Sequence, residues 1–157
     1  MSSNFQLIGI DHAPFQALFD LSDEQLNQLS AKRYIADESP GYPCRISLED
    51  AAVGEELLLL PYLHQPAASP YRASGPIFIR RGVQQRRLAV GEVPSYIKTR
   101  LMSVRAYDAA HMIVDASVCE GVVAGNVITE YFSRDDVAYI HLHNAKRGCF
   151  SCKVVRA

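Results

Sequence analysis

The segment Val137–Phe150 concentrates side chains that can do chemistry: His141, His143, Asn144, Lys146, Arg147 and Cys149. It opens with β-branched and aromatic residues, Val137, Tyr139 and Ile140, which favour a strand. It ends in Asn144-Ala-Lys-Arg-Gly148, a polar turn closed by glycine. His141 and His143 are two apart, so on a strand both leave the same face, about 7 Å from each other. That spacing allows both imidazoles to reach one metal ion, with His64, Cys149 or Asp115 as third ligand. No glutamate follows at the spacing of a cupin, and no third histidine follows at the next alternate position. No metal and no cofactor are therefore expected. Acid–base work by His141 or His143 is the chemistry that remains. Arg147 offers a planar fork for carboxylate or phosphate. Gly148 lets the backbone approach a ligand. Cys149, beside Arg147, is a candidate nucleophile.

A second segment, His64–Pro76, holds three prolines and a glycine between two apolar stretches. A loop stiffened in this way is a candidate binding element. His64, Tyr71, Arg72 and Ser74 give it donors suited to an anion. Arg80, Arg81, Arg86 and Arg87 read as the solvated cations of an edge ribbon. His12 and His111 read as local hydrogen-bonding residues. Cys149 and Cys152 form Cys-x-x-Cys, but a strand from Phe150 would send the two thiols to opposite faces.

These segments need a scaffold. A strand is expected at Phe5–Ile10, and a helix opens at the capping box Ser22-Asp-Glu-Gln25. Further strands are expected at Lys32–Ala36 and Cys44–Ile46, with a helical turn at Ser47–Asp50. Glu55–Tyr62 reads as a buried strand and Pro66–Pro76 as a loop. Ile77–Ile79 restarts a strand that leads into a hairpin from Gly82 to Val90. Val93–Leu101 is expected to be a short helix. Met102–Tyr107 and His111–Val118 form an antiparallel pair. Val123, Val127, Ile128 and Tyr131 recur at helical spacing, which makes Gly121–Phe132 an amphipathic helix. Val137–His143 and Phe150–Val155 complete the strands. The pattern implies a single α+β domain over residues 1–157, with one central, mostly antiparallel sheet and two or three helices on it.

The totals restrict the function classes. The chain has 157 residues, 48% of them hydrophobic, and a formal net charge of −1. That balance fits a soluble globular domain and argues against a general nucleic-acid binder, which needs a basic excess. The most apolar run, Leu57–Leu63, is too short to span a bilayer. The first residues lack a charged and then apolar leader. The four cysteines therefore read as reduced thiols in a cytoplasm.

Several motifs occur together and in order: Pro43-Cys-Arg-Ile-Ser-Leu-Glu-Asp50, His64-Gln-Pro66 with Ser69-Pro-Tyr-Arg-Ala-Ser-Gly-Pro-Ile77, Arg105-Ala-Tyr-Asp108, and Tyr139-Ile-His-Leu-His-Asn-Ala-Lys-Arg-Gly-Cys-Phe150. With them the chain resembles a bacterial family known only as a domain of unknown function, number 1203. The resemblance implies a small, single-domain, soluble bacterial protein and carries no activity over. From the residues, the expected function is binding of a small anionic or polar ligand between the 64–76 loop and the 141–149 segment. Arg72 and Arg147 would clamp the anion. A hydrolase or group transferase using His141 and His143 is the alternative, and a partner-binding module is a third reading.

Overall fold

The computed structural model describes residues 4–157; residues 1–3, on which the reading of the leader partly rests, lie outside the described residues. In chain order the elements are β1 (Phe5–Ile8), a 3-10 helix (Ala13–Asp20), α1 (Asp23–Gln28), β2 (Lys32–Ile35), β3 (Pro43–Cys44), β4 (Glu49–Asp50), β5 (Glu56–Gln65) and β6 (Ala73–Arg80). There follow α2 (Ser95–Lys98), β7 (Leu101–Tyr107), β8 (Ile113–Glu120), a 3-10 turn (Gly121–Val123), α3 (Ala124–Phe132), β9 (Tyr139–Asn144) and β10 (Phe150–Arg156).

The α+β class and the antiparallel character hold, but the strands form two sheets where one was expected. The first runs β1-β10-β9-β7-β8 and the second β2-β5-β6-β3-β4. Every pairing is antiparallel except β3 with β6. Alternation along the strands explains the division. On β7 and β9, Met102, Val104, Ala106, Ile140 and Leu142 join α2 and α3 residues such as Ile97, Ile128 and Phe132 in one core. The intervening residues, His141 and His143 among them, face the second sheet; the His143 ring meets His64 of β5, and the His141 ring meets Phe150 of neighbouring β10. On β5, Leu58 and Leu60 share a second core with Ile77, Ile79 and Phe150, and Tyr62 packs against it. Polar rings on β9 are thus buried because both faces of the first sheet are covered.

Local signals placed several elements well. Ser22 caps α1 as a full capping box: its Oγ accepts from the Gln25 amide at 3.2 Å, and its own amide donates to Gln25 Oε1 at 2.9 Å. Elsewhere long-range contacts prevail over local ones. Ser47–Asp50 is not helical. Leu48 takes φ 56°, the Leu48 amide donates to the Cys44 carbonyl at 3.0 Å, and Glu49 and Asp50 return to pair with Cys44 and Pro43. The reversal buries Leu48 completely. The expected hairpin over Gly82–Val90 does not form either. Its backbone bonds to other parts of the chain, Arg86 N to the Ile46 carbonyl and Leu88 N to the Leu7 carbonyl, both at 3.1 Å. Burial of Leu88 decides this. The loop after β5 is shorter than its prolines imply, because Ala73–Pro76 already belong to β6 and Pro76 faces Pro61 across the pair. The helix expected at Val93–Leu101 shrinks to α2, since β7 begins at Leu101.

Candidate functional site

Register assembles the site. β7 pairs with β9 so that Arg105 lies opposite His141 and Ser103 opposite His143. β10 places Lys153 beside His141 on the other flank. β5 then crosses this face with Tyr62 and His64. The His64 ring stacks on Phe150 at 5.4 Å and 10° between planes, with its edge toward His143 at 5.0 Å and His141 at 6.3 Å. Three histidines from two sheets therefore share one aromatic cluster. Tyr107 extends it by meeting His141 at 5.0 Å and stacking on Tyr139 at 5.0 Å.

Hydrogen bonds define the state of His143. An arginine only donates, so Arg105 Nη1, 3.4 Å away, requires a lone pair on His143 Nε2. His143 Nδ1 then carries the proton and donates to the Gly148 carbonyl at 3.0 Å. His143 is 1% exposed. Burial, opposed by the Gly148 carbonyl and reinforced by Arg105, brings its pKa down to about 4. His141 is 3% exposed. Burial, then the neighbouring His143, His64 and Lys153, lower its pKa to about 3. Burial and Arg105 also lower that of His64. All three rings are thus neutral near pH 7. The Nδ1 atoms of His141 and His64 are buried without a hydrogen-bond partner among the described residues.

This neutrality has a measurable consequence. Below about pH 6.5 the unfolded chain protonates its histidines, while folded His141 and His143 stay neutral until about pH 3 and 4. Stability is therefore unaffected by these two groups above pH 6.5 and falls as pH drops from there toward 4. Between pH 7 and 5.5, above the carboxylate range, the loss should be on the order of 2–3 kcal/mol. Urea unfolding at the two pH values measures it. A flat profile over that interval would show that the rings accept protons in the folded state.

Arg45 supports the cluster from behind. It is 2% exposed. Its Nε donates to the Phe150 carbonyl at 2.7 Å, Nη1 to the Pro43 carbonyl at 2.6 Å and Nη2 to Cys149 Sγ at 3.1 Å. Asn144 Nδ2 approaches the same sulfur at 3.7 Å and Asn144 Oδ1 accepts from Ser151 at 3.1 Å. Cys149 and Asn144 therefore act at the turn as internal partners. All four cysteines are free thiols, and Cys152 lies in the helix-side core, where burial pushes its thiol upward.

A cleft of about 490 Å3 opens beside the cluster, between the end of β1, β5 and β10. His64, His141, Phe150 and Lys153 line it, with Tyr62 and Arg87. The remaining sequence candidates sit elsewhere. Arg72 is exposed and donates to the Pro66 carbonyl of its own loop. Tyr71 sets its edge against Tyr107 at 6.1 Å. Ser74 is exposed on β6, and Arg147 and Gly148 are exposed on the turn after β9. Neither Arg72 nor Arg147 lines the cleft.

Arg105, Lys153, Tyr62 and Phe150 were not read as site residues. Two of them lie in the motifs Arg105-Ala-Tyr-Asp108 and Tyr139–Phe150, and alternation on β7 and β10 would have placed Arg105 and Lys153 on the histidine face. Among the described residues, no group of three His, Cys, Asp or Glu side chains has the geometry to hold a metal ion. None of the helices is long and apolar enough to cross a membrane among the described residues.

A single α+β domain with a buried histidine cluster at a cleft between two sheets is the class that fold and site define. Residues 41–156 match the family model described as a protein of unknown function, DUF1203, and the chain belongs to that family. The matched span includes His64, His141, Phe150 and Lys153 and leaves out β1, the other wall of the cleft. Comparison with curated proteins and with solved structures gave no match.

Proposed function

We propose that this protein binds a small anionic or polar molecule in the cleft beside His141. The single observation that carries the reading is the His141 ring, which lines the cleft beside Lys153. Its Nδ1 is sealed from solvent, so Nε2 is the nitrogen left to meet a ligand. A polar atom left dry costs about 1–3 kcal/mol unless something bonds to it. The charge pattern supports an anion. Lys153 and Arg87 line the opening. Arg105 and Arg45 stand behind the histidines, and among the described residues both donate to neutral or sulfur acceptors and to no carboxylate. The anion clamp is therefore assigned to Lys153 and Arg87, which line the cleft, in preference to Arg72 and Arg147.

An acid–base enzyme is less well supported. His143 commits both ring nitrogens inside the protein, and burial lowers the pKa of His141 to about 3, far from the value near 7 that suits a general acid or base. The four free thiols support a reducing, cytoplasmic setting.

A thermal-shift screen with phosphates, nucleotides and small carboxylic acids tests the proposal. An anion at a hundredfold excess over its Kd should stabilise the wild type by about 2.7 kcal/mol. Lys153→Ala should lose most of that response, and Arg147→Ala should keep it. Equal responses from wild type and Lys153→Ala, or no response to any anion, would reject the site.

A further inference from the structure

Strand register lines up charged groups that the sequence scatters. Across the first sheet, Arg87 pairs with Ile8, Ile8 with Lys153, and Lys153 with His141. Directly paired residues share a face, and here it is the cleft face: Leu88, Leu7 and Val154, chain neighbours of the first three, lie in the helix-side core. All four residues of the row line the cleft. Arg87 and Lys153 therefore stand two strand spacings apart, about 10 Å at the backbone, with Ile8 between them. The Lys153 ammonium lies 4.8 Å from the centre of the Tyr139 ring on β9, on the side away from Arg87, so the two charges do not converge. Among the described residues neither cation forms an ion pair, and Asp11, the one carboxylate that lines the cleft, accepts from the Ala13 amide at 3.0 Å. Resting on the reading of this cleft as an anion site, we propose that its ligand is a linear dianion with a carboxylate at each end and an apolar middle, the class of the longer α,ω-dicarboxylic acids.

Other anions leave part of the row unmatched. A compact one such as phosphate reaches one cation and leaves the other, with Ile8, to water. A polyphosphate spans the distance but sets charge against Ile8, which strips water from it without a partner. An apolar chain covers Ile8 and meets Tyr62 and Val155, which also line the cleft, so buried area adds to the affinity. At one end the Lys153 ammonium and the His141 Nε2–H donate to the same carboxylate, which fixes the His141 tautomer. At the other end Arg87 takes the second carboxylate with its planar fork. Once one end is held, the other binds at a high effective concentration, and that gain vanishes for a chain too short to span the two cations.

Calorimetric titration of the full chain with suberate, octanoate, succinate and inorganic phosphate tests this. Suberate and octanoate have the same carbon chain and differ by one carboxylate. Suberate should bind about tenfold more tightly than octanoate, the worth of one charge-assisted contact. It should exceed succinate and phosphate by at least about tenfold, because neither spans the two cations. Arg87→Met and Lys153→Met, both at exposed positions, should each weaken suberate about tenfold and erase its advantage over octanoate. Octanoate binding as tightly as suberate, or suberate binding unchanged in Arg87→Met, would overturn the second clamp. Succinate or phosphate binding as tightly as suberate would overturn the span. In each of these cases the dicarboxylic class falls and the anion site stands. If none of the four binds, both the class and the anion site fall.

Discussion

Gly9→Ala is expected to cost about 3 kcal/mol or more, because overpacking against backbone leaves no flexible side chain to yield. A Cβ on residue 9 would lie 2.0 Å from the Ile46 carbonyl oxygen and 2.9 Å from its carbon. Neither strand can retreat cheaply. The Gly9 amide donates to the Arg86 carbonyl at 2.8 Å, the Ile10 amide to the Arg45 carbonyl at 3.0 Å, and the Arg86 amide to the Ile46 carbonyl at 3.1 Å. These bonds hold the end of β1 against the turn after β3, and Gly9 itself lines the cleft. For a chain of this size the melting temperature should fall by roughly 6–12 °C. Gly75→Ala is the control, since a Cβ there meets nothing within 4 Å. Melting temperatures for Gly9→Ala and Gly75→Ala within about 2 °C of each other would show that the two segments separate easily.

Arg45→Met should cost about 2–4 kcal/mol. Two effects oppose each other. Losing the guanidinium strands the Phe150 and Pro43 carbonyls and the Cys149 sulfur, to which it donates, at about 1–3 kcal/mol for each carbonyl left dry. Against that, Arg45 is a buried cation without a carboxylate partner among the described residues, and removing it relieves its own desolvation. Methionine fills much of the volume, so the stranded carbonyls decide the sign. Arg45→Lys separates the two effects. It keeps a charge in the same dry place but has no fork with which to reach three acceptors, so it should be no more stable than Arg45→Met. Chemical denaturation of the three proteins measures this. A lysine variant as stable as wild type would mean that charge, and not the three-way clamp, is what position 45 provides.

Local features of this fold are legible in its sequence, and long-range ones are not. The capping box at Ser22, the β7–β8 pair and His141-x-His143 on one strand face are local signals, and each appears in the structure. What escaped depends on register and on pairing between distant strands. Arg105 joins the histidines only because β7 lies beside β9 at one offset, and a shift by one residue would send it to the helix side. Arg45 reads as an ordinary polar residue near a turn, and its burial is visible only once Phe150 packs over it. The segment Gly82–Val90 has hairpin-like punctuation, but its Arg86, Arg87 and Leu88 find their partners in β1, Gly9 and Ile46. The candidate loops were recognised as chemically rich, yet the cations that line the cleft, Lys153 and Arg87, came from a strand and from a segment read as an edge ribbon.

The central claim is that His141 presents a neutral imidazole to an anionic or polar molecule in the cleft. Long-range proton–nitrogen NMR of the histidine side chains, recorded at pH 7 with and without the anion that stabilises the protein most in the thermal-shift screen, addresses that ring directly. Neutral imidazole signals are expected for His64, His141 and His143 before addition. On addition the Nε2 resonance of His141, whose Nδ1 is sealed from solvent, should move most, and the Nδ1 resonance of His143, already bonded to Gly148, should stay nearly fixed. A protonated His141 at the start, or a saturating ligand that moves the signals of exposed His111 and leaves His141 unchanged, would contradict it.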